Sequence, residues 1–83
     1  MKITFGNLPT FVGGRRAGKC RWQTATEPME IDGLIFPAGS RFSIWESLKD
    51  KYIYIRFSED SVPSIYDGAN KSQRLFVIGS HNG

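Results

Sequence analysis

The segment 39–57 constrains the fold most strongly, because its residues alternate as two β-strands around a short polar turn. An antiparallel register that pairs Glu46 with Lys51 matches opposite charges, and it places Trp45 opposite Tyr52. Since side chains alternate between the faces of a strand, one face of this hairpin is apolar and the other is aromatic and basic. The apolar face, which we expect in the core, contains Phe42, Ile44, Ile53, Ile55 and Phe57, and the second face contains Arg41, Ser43, Trp45, Tyr52, Tyr54 and Arg56.

Short strands and turns account for most of the remaining chain. Asp32-Gly33 predicts a two-residue hairpin turn within the segment 29–36, and Phe36-Pro37-Ala38-Gly39 predicts a type I turn. No window shows apolar residues at helical spacing over three turns, so a long amphipathic helix is not expected. The further predicted strands are Lys2–Phe5, with Ile3 and Phe5 directed inward, Cys20–Thr26 and Arg74–Ile78.

These strands predict an all-β fold, specifically a small five-stranded antiparallel barrel with one long loop. Their order along the chain resembles the layout of SH3-like barrels. The 83 residues predict a single domain spanning 1–83, because two smaller pieces could not each bury a core. In the long loop 58–73, we expect Val62, Ile65 and Tyr66 to attach the chain to the body of the domain.

The net charge of +3 conceals a strong asymmetry along the chain. Residues 1–26 contain five basic residues and no acidic residue, whereas residues 27–67 contain all eight acidic residues. A basic region attracts anions over about 8–10 Å at physiological salt, so nucleic acid is one expected partner.

The sequence predicts a cytoplasmic protein with no membrane partner. Cys20 is the only cysteine, which excludes a disulfide within the chain and fits a reducing compartment. No apolar run approaches the roughly 18 residues that a membrane span needs. The first residues also lack the continuous apolar stretch of a signal peptide.

The glycine-rich segment 13–20 approaches the phosphate-binding pattern of nucleotide hydrolases. Cys20 stands where that pattern needs a hydroxyl to bind magnesium, and a β-branched segment follows where a helix is required, so we expect no such activity. The same loop could instead wrap a phosphate backbone, because glycines permit close approach and cations neutralise phosphates. The alternative is a solvated basic loop with Trp22 in the core. Its basic residues are Arg15, Arg16, Lys19 and Arg21, with Phe11 and Trp22 nearby.

The aromatic stripe of Trp45, Tyr52 and Tyr54 is the second candidate site. Aromatic rings on a strand surface stack with unpaired bases, and the predicted register adds Arg41 opposite Arg56, an arrangement that is unfavourable without an anion between the two. Two outcomes are open: the stripe is exposed and functional, or the long loop covers it.

Catalysis is not predicted from these residues. His81, the only histidine, lies three residues from the end, where nothing would orient it as a base, and Cys20 has no histidine close in sequence. We expect no catalytic residue, no cofactor and no metal, because the chain lacks a suitable set of cysteines and histidines. The acidic residues Glu27, Glu30 and Asp32 are ordinary near a tight turn, although they could contact a basic partner.

We therefore predict a non-catalytic binding module. The first hypothesis is nucleic-acid binding, with the basic loop on the phosphates and the aromatic stripe on the bases. The second is a small accessory or inhibitory protein, of the kind a phage or mobile element encodes, that binds another protein through the same stripe or the acidic stretch 27–32. The third is a subunit that pairs through the strand Arg74–Ile78, so a monomer and a small homo-oligomer are both open.

Overall fold

The computed structural model describes residues 1–8 and 21–80 and, for the backbone alone, residues 16–17. In these ranges the regular secondary structure is entirely β, which confirms the predicted all-β class. The strands are β1 (Arg16–Ala17), β2 (Trp22–Thr24), β3 (Met29–Ile31), β4 (Leu34–Phe36), β5 (Arg41–Glu46), β6 (Tyr52–Phe57), β7 (Ser64–Ile65) and β8 (Leu75–Ser80).

The strands form two sheets. The five-stranded sheet has the order β1-β5-β6-β8, with β2 also pairing with β5, and the three-stranded sheet has the order β3-β4-β7. All pairings are antiparallel except that of β1 with β5. Within the described residues no strand closes the sheets into one barrel, so the five-stranded barrel stays a prediction.

The β5–β6 hairpin has the predicted faces in a different register. All five residues of its predicted apolar face are buried. Trp45 pairs with Tyr54 rather than Tyr52, and Glu46 lies opposite Ile53 rather than Lys51. The observed register differs from the predicted one by two residues, and such a shift leaves every side chain on the same face.

The turn between β5 and β6 explains this difference in register. The Lys51 amide donates to the Ser47 carbonyl (3.1 Å), and Lys51 has a left-handed φ of 62°. The Ser47 amide then donates to the Tyr52 carbonyl (2.9 Å), which starts the ladder one residue later on each side than predicted. The Asp50 carboxylate accepts the Tyr52 amide (3.0 Å) and stabilises the turn.

Of the two predicted turns between β3 and β5, the first is confirmed and the second is shifted by one residue. Asp32 and Gly33 have φ values of 48° and 80°, as a two-residue hairpin turn of the mirror-image type requires. The next turn spans Pro37–Ser40, with the Ser40 amide donating to the Pro37 carbonyl (3.1 Å). Gly39 occupies its third position with a φ of 93°, so the predicted type I turn with glycine in fourth position is wrong.

The first predicted strand is short and only half inward. Ile3 is buried, but Phe5 is 62% exposed, so its predicted inward position is wrong. The reason is a turn: the Asn7 amide donates to the Thr4 carbonyl (3.1 Å), which reverses the chain there. The Gly6 amide then donates to the Ile78 carbonyl of β8 (2.9 Å).

The two sheets are joined by aromatic packing in the core. The Phe36 ring of β4 stacks on the Phe57 ring of β6 with centroids 3.7 Å apart and planes 1° from parallel. Phe76 of β8 meets both rings edge-on, at 6.3 Å from Phe36 and 6.1 Å from Phe57. The buried core consists of Ile3, Ala25, Met29, Ile31, Leu34, Phe36, Phe42, Ile44, Ile53, Ile55, Phe57, Phe76 and Ile78.

Arg74 fastens the long loop 58–73 to this core. Its guanidinium carbon lies 5.8 Å from the centroid of the Phe36 ring, and it donates to the carbonyls of Ser61 (2.9 Å) and Lys71 (2.6 Å). Farther along the loop, β7 adds Ser64–Ile65 to the three-stranded sheet.

Gly33→Ala is expected to destabilise the domain by about 1–3 kcal/mol more than Gly68→Ala. Both glycines have positive φ values, 80° and 73°, so the backbone strain is similar. A methyl group at Gly33 would lie 2.9 Å from the Ala69 side chain, whereas one at Gly68 meets nothing within 4 Å. Urea unfolding of the two variants measures the difference, and equal stabilities would contradict the packing of Ala69 on the β3–β4 turn.

Candidate functional site

The outer face of the five-stranded sheet, which faces away from the core, is the candidate site. Strand alternation and the observed registers place every second residue of β2, β5 and β6 on it, together with the β8 residues that pair with them across a bulge at Ile53–Tyr54. Its members, which we call the outer face, are Trp22, Thr24, Arg41, Ser43, Trp45, Tyr52, Tyr54, Arg56, Leu75, Val77 and Ser80. All residues of the predicted aromatic and basic face of the hairpin are therefore on one surface.

Three of the predicted aromatic residues lie together on β5 and β6, near the turn between these strands. Trp45 and Tyr54 are half-buried and stack with centroids 5.3 Å apart and planes 19° from parallel. Tyr52, which is 44% exposed, lies two residues before Tyr54 in β6 and therefore on the same face. The predicted pairing of Trp45 with Tyr52 is wrong, because the register places Tyr54 opposite Trp45.

A second aromatic group lies beside β5, around Trp22. Its indole is 42% exposed, and the Arg41 guanidinium carbon lies 5.9 Å from the ring centroid. Such a distance is within the range of a cation–π contact. Between Trp22 and β6 lies Ser43, fully buried, whose hydroxyl accepts the Arg21 amide (2.9 Å).

The charges on the outer face are all positive among the described strand positions. Arg41 and Arg56 are exposed, and no aspartate or glutamate occupies a position of this face within β2, β5, β6 or β8. The predicted juxtaposition of Arg41 and Arg56 is wrong, because Ser43 lies opposite Arg56. Mutual repulsion of these arginines therefore gives no independent argument for an anion.

The structure brings two parts of the basic loop to the five-stranded sheet. The backbone of β1 pairs in parallel with β5, with Arg16 next to Trp45, and the exposed Arg21 immediately precedes β2. Arg15 and Lys19 lie outside the described residues, as do Cys20, His81 and most of the glycine-rich segment.

The long loop packs on the other sheet. Its β7 strand pairs with β4, and the Tyr66 hydroxyl donates to the Glu30 carboxylate (2.7 Å). Val62, Ile65 and Tyr66 are exposed, but Ile65 pairs with Leu34 in β7 and the Tyr66 amide donates to the Gly33 carbonyl (3.1 Å), so a short strand makes the expected attachment. Trp22 and Tyr52 keep more than 40% of their surface exposed on the outer face.

Sequence reasoning missed Leu75 and Val77, which are 48% and 44% exposed on the outer face. Residues 75–78 are all apolar, so their sequence carries no alternation that could separate the outward pair from the buried Phe76 and Ile78. Trp22 was recognisable only as a neighbour of the basic loop, since its short strand fits either a core or a surface position.

The acidic stretch 27–32 has partners within the chain. Glu27 forms an ion pair with the amino group of Met1 (3.0 Å), and Glu30 accepts the Tyr66 hydroxyl. Asp32 lies in the β3–β4 turn. In the described part of the chain, no three His, Cys, Asp or Glu side chains are grouped so that they could bind a metal.

Asp50 and Tyr54 form a hydrogen-bonded pair at the turn end of the outer face. The Tyr54 hydroxyl donates to the Asp50 carboxylate, and this bond, followed by that from the Tyr52 amide, lowers the pKa of Asp50. The same bond raises the pKa of Tyr54. The pair therefore fixes the Tyr54 ring beside Trp45.

Comparisons with protein-family models, curated proteins and solved structures find no match to this chain. Nor does any helix among the described residues have the length and apolar character to cross a membrane. The geometry of the outer face is thus the basis for a functional proposal.

Tyr54→Phe is expected to raise the pKa of Asp50 toward its ordinary value, because the variant loses the largest cause of the lowering. In the native protein this bond stabilises the fold at neutral pH and ceases to do so as the pH falls through the lowered pKa of Asp50. NMR titration of the side-chain carboxyl groups measures the pKa of Asp50 in the native protein and in the variant. Tyr52→Phe is the control, since Asp50 contacts the Tyr52 amide rather than its hydroxyl. An unchanged Asp50 titration in Tyr54→Phe would contradict the pairing.

Proposed function

We propose that this protein is a non-catalytic module that binds single-stranded nucleic acid on the outer face. The observation that carries the proposal is that the described strand positions of this face combine four aromatic rings with two arginines and contain no carboxylate. Aromatic rings stack with bases, and arginines neutralise phosphates.

The preference for a single strand follows from the arrangement of the rings. Stacking on a sheet surface requires the faces of unpaired bases, which a duplex keeps inside its own stack. Trp22 lies opposite Ser43, and Trp45 is two residues farther along the same strand. Neighbouring strands are about 4.8 Å apart and two residues span about 6.7 Å, so the Cα atoms of the two tryptophans are about 8 Å apart, a distance that neighbouring nucleotides of an extended strand can span.

The phosphates of such a strand would contact the arginines around the rings. Arg41 lies over Trp22, so one guanidinium can reach a phosphate while the indole stacks on its base. The backbone position of Arg16 beside Trp45 supports a further role for the basic loop, with Arg15 and Lys19 included in the proposal. The proposal includes an SH3-like barrel, and the Phe36–Phe57 stack, which joins the two sheets, supports it.

Protein binding is the second candidate, and Leu75 and Val77 favour it. These two exposed apolar side chains lie on β8, which pairs with β6 at the end of the sheet order. Exposed apolar side chains grouped on one surface are common where another protein chain binds. Failure of oligonucleotides to bind even at low salt would favour this candidate.

Trp22→Ala is expected to weaken the binding of a labelled single-stranded oligonucleotide by about 1–3 kcal/mol, with little change in salt dependence. Arg41→Gln is expected to reduce the slope of log affinity against log salt by about 0.7, as one phosphate contact requires. Fluorescence anisotropy at several salt concentrations measures both effects.

Two variants beside the three-stranded sheet serve as matched controls. Tyr66→Ala removes an exposed aromatic ring, and Lys2→Gln removes an exposed charge next to the paired Glu30. Neither is expected to change affinity as strongly as its counterpart on the outer face. Equal effects of Trp22→Ala and Tyr66→Ala would contradict the outer face as the binding surface, and a duplex that binds more tightly than the single strand would contradict stacking.

A further inference from the structure

A polar cleft opens where the outer face meets the segment that follows β6. Its volume is about 320 Å³, and it is lined by Trp22, Arg56, Phe57, Ser58, Glu59 and Asp60. The indole gives the cleft a flat apolar surface, the guanidinium gives it hydrogen-bond donors, and the carboxylates give it acceptors. Such a set can bind a planar ligand by stacking and read its edge by hydrogen bonds.

Opposite charges share this cleft without pairing. In the described part of the chain the only ion pair joins Met1 and Glu27, so neither Glu59 nor Asp60 lies within 4.0 Å of the Arg56 guanidinium. Both carboxylates also lack a hydrogen-bond partner among the described residues. The guanidinium and the carboxylates of the cleft therefore keep their hydrogen-bonding capacity for a ligand.

The carboxylates argue against a phosphate as the occupant. A phosphate beside Glu59 and Asp60 would meet like charges, whereas base edges offer N–H donors that carboxylates accept. Phosphate contacts do not depend on sequence, but contacts to a base edge do. The carboxylates thus give the cleft a different chemistry from the strand positions of the outer face, which contain none.

Guanine matches the cleft better than the other bases. Its N1–H and N2–H₂ donors are adjacent and fit the two oxygens of one carboxylate, and its O6 and N7 acceptors suit arginine. Adenine presents an acceptor at N1, where it would meet the carboxylate. Cytosine presents a single amino donor, and thymine or uracil presents one N–H between two carbonyls.

We propose that this cleft binds a guanine base of the bound strand, stacked on Trp22, with Arg56 donating to O6 and N7 and Glu59 or Asp60 accepting from N1–H and N2–H₂. The inference rests on the proposed function, since it places one base of a strand whose other nucleotides contact the outer face. It adds a sequence preference that stacking alone does not provide.

Short labelled oligothymidylates with one central guanine, inosine, 7-deazaguanine, adenine or cytosine test this inference by anisotropy. Guanine is expected to bind about tenfold more tightly than adenine, cytosine or thymine at that position. Inosine lacks the N2 amino group and 7-deazaguanine lacks the N7 acceptor, so each is expected to lose part of this preference. An equal affinity for all these oligonucleotides would overturn the inference while leaving the proposed function intact.

Variants then assign the preference to the cleft. The double variant Glu59→Gln/Asp60→Asn is expected to bind the guanine and thymine oligonucleotides with equal affinity. Asp67→Asn, which removes a similar charge near the three-stranded sheet, is expected to keep the preference for guanine. If the double variant keeps the full preference for guanine, the cleft is not the site.

Competition with GMP distinguishes a guanine base of a strand from a free guanine nucleotide. GMP is expected to bind far more weakly than the oligonucleotide, and GMP binding as tight as that of the oligonucleotide would contradict a strand-bound base. If no oligonucleotide binds at low salt, the proposed function itself fails.

Discussion

The stack of Phe36 on Phe57 is the contact on which the rest of the structure depends. The two rings come from different sheets and lie 3.7 Å apart, with Phe76 against the edges of both. Because β6 directs Phe57 inward, alternation directs its neighbour Arg56 outward, together with Tyr54. The same packing that joins the sheets thus sets the composition of the outer face.

The sequence predicts well which side chains of a strand point toward the core, but it predicts poorly which residues pair across neighbouring strands. The alternation in residues 41–57 identified every inward residue of the hairpin, because burial selects one face of a strand. It could not select the register, since a two-residue shift keeps all faces and the turn chemistry of Asp50 and Lys51 decides the pairing. The position of the long loop was equally inaccessible, because it depends on the contacts of Arg74 and on the pairing of β7 with β4.

The sequence predicted the part of the candidate site that lies on the β5–β6 hairpin, but not the part that lies on β2 and β8. Arg41, Trp45, Tyr52, Tyr54 and Arg56 were identified as one surface from alternation alone, and they share one face of the sheet. The contributions of Trp22 and Val77 needed the tertiary structure, because both belong to strands whose partners are distant in sequence. Tertiary pairing also separates the charges: the acidic stretch 27–32 belongs to β3 and its turns, while the arginines of the outer face are on the other sheet.

The central claim of this account is that a single strand of nucleic acid occupies the outer face. Backbone amide NMR spectra recorded during titration with a short single-stranded oligonucleotide test it most directly, because they report on both sheets at once. The account predicts that the amide resonances of β2, β5 and β6 and the indole resonances of Trp22 and Trp45 shift, while those of β3 and β4 do not. Shifts concentrated on β3 and β4, or an unchanged spectrum at low salt, would contradict it.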